Sequence, residues 1–229
     1  MESILTDRDE ERAVNHLILH AFLEKQIGLL NGRMGIAITF YLLGRKLQND
    51  LYIHIGDKLL YTVITGLTTD VSNDFATGFC GIGWGIEFLT QQNFIVCDSD
   101  VCDELDRYIM DAGRDAMDCS LEKGVEGVLH YVLAHIQNSY LRKIALPFTP
   151  LFLKQLYQRT DEMMVKKRIK SEQISLFKQY KCWYESREIK YQFDLSAHIA
   201  NVEFSDMIFQ QNMLALNNGL AGYLLSRIL

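Results

Sequence analysis

Gly78-Phe-Cys-Gly-Ile-Gly-Trp-Gly-Ile-Glu-Phe-Leu89 opens with a Gly-x-x-Gly unit and runs on as an almost unbroken apolar segment carrying a single carboxylate. The same opening recurs as Gly32-Arg-Met-Gly35, Gly124-Val-Glu-Gly127 and Gly219-Leu-Ala-Gly222, each at the head of an apolar run. The first glycines lie 46 (78 − 32), 46 (124 − 78) and 95 (219 − 124) residues apart, and the last gap is about two periods. A fixed spacing of this size marks an internal repeat. The doubled gap predicts a degenerate copy near Lys170 to Gln173, where no glycine stands, so five units fit the chain.

A period near 46 accommodates two helices and two connections, which reads as a helical hairpin. Ala13 to Leu23, Leu51 to Leu67, Val101 to Met117 and Phe152 to Val165 place apolar residues three and four apart, the pattern of a helix with one buried face. The segments that begin at the glycines are mostly apolar instead. Only two prolines occur, and no extended run alternates apolar with polar residues. The expected fold is therefore all-α: one domain over residues 1–229, built as a small or partial α/α toroid with polar helices outside and apolar helices inside.

Of 229 residues 48% are hydrophobic, and 29 acidic residues against 23 basic ones give a net charge of −6. That charge argues against nucleic acid as a partner. No apolar stretch approaches the roughly 20 residues that cross a bilayer, and the acidic start, Asp7 to Glu11, is unlike a secretion signal. Cys80, Cys97, Cys102, Cys119 and Cys182 form an odd set without CxxC spacing, which speaks against a disulfide framework. A cytoplasmic location is expected.

Glycine at a helix start costs roughly 0.5 to 1 kcal/mol relative to alanine, so its recurrence has a cause. One reading is packing, with Cβ-free positions letting a neighbouring segment come close. The other is functional: the glycine turn frees backbone N–H groups at each inner-helix N-terminus, where the helix dipole favours an anion. The residues ahead of the first glycines are Asn31, Thr77, Lys123 and Asn218; Asn and Thr in such places are expected N-caps.

The segments Gly28 to Ala37, Gly78 to Leu89 and Asn218 to Leu225 resemble the repeated inner-helix motif of lanthionine synthetase C-like proteins. The resemblance implies an α/α toroid; family members have seven hairpins, against five here. It also implies a zinc ion at the barrel mouth in cyclase members, which activates a peptide thiolate for addition to a dehydrated serine or threonine. In that family the ligands are a cysteine two positions before one first glycine, and an adjacent cysteine and histidine before another. The corresponding positions here are Leu30 and Asn31, Ala76 and Thr77, Glu122 and Lys123, and Asn217 and Asn218. None is cysteine or histidine, so no metal and no cofactor is expected.

Glu87 and Glu126, on or beside inner helices, are candidate paired carboxylates for general acid and base work on glycosidic bonds, with interhelical pairing as the structural alternative. Trp84 and Tyr223 read as core or as groove lining. Arg33 and Lys123 flank inner-helix starts; His16 and His20 have the i, i+4 spacing of a zinc pair without a third ligand. Lys166 to Lys170 is a short basic run read as a solvated connection. By resemblance the expected role is noncatalytic binding of a precursor peptide or a modification-enzyme partner through Asn31, Arg33, Glu126 and Asn218. A carbohydrate-active enzyme and a cyclase with an unrecognised zinc site are the alternatives. Five hairpins are expected either to close as a small ring or to cover their open edge with another subunit of the same chain.

Overall fold

The computed structural model describes residues 8–96, 99–112, 118–166, 170–199, 208–209, 211 and 213–229. These residues form α-helices and short 3-10 turns with no strand among them, so the all-α class holds. In chain order the helices are α1 (Arg8–His20), α2 (Arg33–Leu47), α3 (Asp50–Thr65), α4 (Phe79–Gln91), α5 (Ser99–Ala112), α6 (Val125–Arg142), α7 (Pro150–Val165), α8 (Ile174–Ser186) and α9 (Leu220–Ile228).

The repeat is visible in where helices begin. The starts of α2, α4, α6, α8 and α9 lie 46, 46, 49 and 46 residues apart (79 − 33, 125 − 79, 174 − 125 and 220 − 174). The glycine-free copy is α8, opening directly after Lys170 to Gln173. In α4 every residue from Phe79 to Leu89 is buried, and in α2 every residue from Met34 to Tyr41, as befits helices covered on all sides. By contrast α3 buries a stripe of Ile55, Gly56, Leu59 and Val63, and α7 one of Phe152, Leu153, Leu156, Thr160 and Met163. These striped helices carry side-chain caps: Leu51 N–H donates to Asn49, and Phe152 N–H to Thr149, with Pro150 at a position that needs no N–H.

The chain divides into two compact units, Met1–Asp70 with Asp194–Leu229, and Val71–Phe193. In the first, α2 packs on α3 and α9, and α1 also packs on α9, so the last repeat lies against the first. Gly56 lets α3 approach closely, since a Cβ there would stand 3.1 Å from the Tyr41 ring. In the second unit α4 packs against α5 and α6, α6 also meets α8, and α7 packs on α8. The ring of Tyr131 occupies space that a side chain on Gly83 would fill, which accounts for a glycine in the middle of α4 at a cost of about 0.5 to 1 kcal/mol.

Candidate functional site

The loops ahead of the inner helices share one construction. In all four glycine copies the N–H of the residue after the first glycine donates to the carbonyl seven residues earlier: Arg33 to Gln26 (2.9 Å), Phe79 to Ser72 (2.8 Å), Val125 to Asp118 (2.9 Å) and Leu220 to Met213 (2.9 Å). The carbonyl passes so near the first glycine that a Cβ would overlap it or crowd it, and the second glycine meets the next turn of the loop in the same way: Gly35 faces the Leu29 carbonyl, Gly127 that of Leu121, and Gly222 that of Leu216. No glycine has a positive φ among the described residues, so close approach of the loop is what excludes side chains. Two expectations are corrected by this. The first N–H of each of these inner helices is not free for an anion, because the chain's own loop takes it. Asn31, Thr77 and Asn218 are not N-caps either: Gly32, Gly78 and Gly219 hold that position without a side-chain bond.

Neighbouring loops join in register. Within the second unit Ala76 N–H donates to the Glu122 carbonyl (3.2 Å), beside Phe75 N–H at 2.8 Å. Within the first unit Asn217 N–H donates to the Leu30 carbonyl (2.8 Å). Both bonds link the positions two residues ahead of the first glycines, which is where the resemblance places metal ligands. Leu30, Asn31, Asn217 and Asn218 thus stand side by side in one unit, and Ala76, Thr77, Glu122 and Lys123 in the other. These residues offer no thiolate and no imidazole, so they do not fit the family's zinc ion. Asn218 is exposed and left-handed (φ 57), a conformation asparagine tolerates better than most residues. Arg33 is engaged by its own loop, donating to the Glu24 carbonyl at 2.6 Å. In the glycine-free copy the Gln173 side chain takes over the joining role, donating to the Cys119 carbonyl and to Glu126, each at 2.6 Å. Burial raises the Glu126 pKa, and the Gln173 bond partly opposes this.

Glu87 and Glu126 are not brought together. Glu87 pairs with His135, nine residues along α6 from Glu126, a rise of about 13 Å. Retaining and inverting glycosidases hold their carboxyl groups about 5 to 9.5 Å apart. Trp84 is core, donating to the Tyr191 hydroxyl at 2.7 Å, and Tyr223 is buried in α9. Cys80 is fully buried, which pushes its thiol pKa up. His16 and His20 stack with ring centroids 4.0 Å apart, and His20 Nδ1 meets the His16 carbonyl at 2.9 Å. Lys166 pairs with Glu162 and Lys170 with Glu172, while 167–169 of the basic run and Cys97 lie outside the described residues.

The strongest chemical cluster lies inside the second unit, where α4, α5 and α6 meet. His135 Nδ1 contacts Glu87 Oε1, and its Nε2 lies 3.1 Å from Asp106 Oδ2. Asn138 donates to the Glu87 carbonyl (2.9 Å) and to Glu87 Oε2 (2.5 Å), and Tyr131 donates to Asp106 Oδ1 (2.7 Å). Arg142 Nη2 stands 3.7 Å from Glu87 Oε1 and Cys102 Sγ 3.8 Å from the same oxygen. Glu87, Asp106, His135 and Asn138 are all buried. Burial alone would lower the His135 pKa, but the hydrogen bonds it donates to Asp106 and Glu87 outweigh it and hold it at about 9. Glu87, Cys102 and His135 are also the described residues whose donor atoms converge closely enough to share a metal ion.

Glu87 is legible in the sequence as a lone carboxylate in an apolar run; Asp106 and Asn138 are not. The available signal was a second polar interruption, His135 and Asn138 three residues apart in the apolar run of α6, which marks a shared face aimed at something polar. Comparison of the chain with family models, with curated proteins and with solved structures found no match.

Proposed function

We propose that this chain is a lanthionine synthetase C-like binding protein that holds a polypeptide segment, from a precursor peptide or a partner enzyme, at the tips of its repeats without forming a thioether. The proposal includes the ring of hairpins that the resemblance implies, and its support is internal to each unit. The observation that carries it is the in-register joining of loops through Ala76 to Glu122 and through Asn217 to Leu30. Positions that the family uses at its mouth are thereby neighbours, with amide, hydroxyl and charged side chains, and the buried apolar Leu30 and Ala76, where the cyclases have cysteine and histidine. Asn31, Asn217 and Asn218 present paired donors and acceptors suited to an extended peptide backbone. Arg33 and Glu126 support their loops rather than the ligand.

The test is selection of peptides from a displayed random library on the purified protein, followed by calorimetric titration of the selected sequences. Replacing Asn31 and Asn218 together by Arg is expected to weaken binding at least about tenfold, the loss of one to two hydrogen bonds. Unchanged affinity in that variant, with its helical circular dichroism intact, would remove the tips from consideration.

A further inference from the structure

Glu87, Cys102 and His135 come from three different helices of the second unit, and their donor atoms lie within 4.8 Å of one another. Cys102 Sγ stands 3.8 Å from Glu87 Oε1. Two ligands of a tetrahedral zinc ion, at bond lengths of about 2.0 to 2.3 Å, are about 3.5 Å apart, so this pair is already near its bound separation. We infer that Glu87 Oε1, Cys102 Sγ and His135 Nδ1 form a buried zinc site with water in the fourth position. This is a different place in the fold from the repeat tips, and it does not depend on the peptide-binding proposal.

The surrounding groups have the form of an outer coordination shell. Asp106 Oδ2 accepts from His135 Nε2 (3.1 Å), the arrangement that fixes a tautomer with its lone pair on Nδ1. Tyr131 holds the other Asp106 oxygen at 2.7 Å, and Asn138 occupies Glu87 Oε2 at 2.5 Å, which leaves Oε1 for the metal. Charges balance: one carboxylate and one thiolate offset the two positive charges of zinc, and Arg142, 3.7 Å from Glu87 Oε1, offsets Asp106. Loading the site displaces the thiol proton of Cys102 and the proton between His135 and Glu87, and both pass to solvent. When a proton holds His135 and Glu87 together instead, Cys102 remains a thiol that donates to Glu87 Oε1. The two occupants therefore differ in what they require of sulfur.

The experiment measures metal content of protein expressed with zinc and purified without chelator, then the optical spectrum after exchange with cobalt(II). The expected result is about one zinc per chain, with tetrahedral visible bands and a near-ultraviolet sulfur-to-cobalt charge-transfer band on exchange. That band is expected to survive Cys80→Ser, Cys97→Ser, Cys119→Ser and Cys182→Ser and to vanish in Cys102→Ser. Should Cys102→Ser fail to fold, survival of the band in the other four variants assigns the thiolate by elimination. Zinc below roughly a tenth of an equivalent with no cobalt band, or loss of the band in any of those four, overturns the site.

Discussion

Asn138 makes two bonds to one partner, reaching both the main-chain carbonyl and the carboxylate of Glu87. Replacing it with leucine keeps the branched outline at a larger volume, and removes the donor from buried Glu87 Oε2 and the second bond from the Glu87 carbonyl. At about 1 to 3 kcal/mol for each unmade bond, Asn138→Leu is expected to cost about 3 kcal/mol in urea unfolding, whichever occupant holds the cluster. Glycine makes an opposite case, because its contribution is the room it leaves. Gly127→Ala drives a methyl into the Leu121 carbonyl and the side chain of Phe75, which is predicted to lower stability by at least about 2 kcal/mol. Gly66 ends α3 at φ −88, where a Cβ would stand 3.0 Å from its nearest neighbour, the Thr62 carbonyl, so Gly66→Ala should stay within about 1 kcal/mol in the same measurement. Glu87 was readable in the sequence because one carboxylate in an apolar run is conspicuous. Its partners were not, since Asp106 lies on a polar helix where acids are ordinary and only the packing of α5 on α4 turns it inward.

Among elements, the short 3-10 turn Ser196–His198 carries a titratable group with a calculable effect. Burial depresses the His198 pKa from 6.5 to about 4, with partial opposition from Asp194. In the unfolded chain the imidazole protonates near 6.5, so the unfolded state binds the extra proton first. Stability is then fully present above about pH 6.5 and is lost as the pH falls toward 4, by roughly 3 kcal/mol for this group. The difference in unfolding free energy between the wild type and His198→Gln should change by that amount across the window; a pH-independent difference would exclude it. Helix starts were legible because glycine spacing and apolar runs are local properties, and even the glycine-free α8 begins where the period places it. The caps were misread for a physical reason. Asn31, Thr77 and Asn218 have the chemistry of N-caps, but the returning loop already satisfies the first helical N–H through a carbonyl seven residues back, and only glycine fits beneath it.

At the level of the whole molecule, a net charge of −6 acts on any polypeptide that approaches. A basic peptide is predicted to associate faster than an acidic one of the same length, and its on-rate should fall several-fold between 0.01 and 0.15 M salt as the Debye length shrinks from about 30 to about 8 Å. Stopped-flow binding of such a pair measures this directly, and equal rates at low salt would contradict it. The division into two compact units was not legible, because a period assigns each repeat the same standing, whereas contact between the first and last repeats is a property of the folded chain.

The loop that returns seven residues to meet its own helix is held by main-chain atoms and by the bare α-carbons of glycine. The fastening itself uses main-chain atoms, whereas the side chains one and two residues ahead of the first glycine differ in role: Thr77 is tied to Asp74, Leu30 and Ala76 are buried, and Glu122, Lys123 and Asn218 are exposed. The exposed ones among them are consequently an open alphabet: a sulfur and imidazole vocabulary, or an amide and hydroxyl one, can be written there on the same scaffold. Chemistry at such a place can be gained, lost or grafted back over few substitutions while the architecture beneath it is left undisturbed.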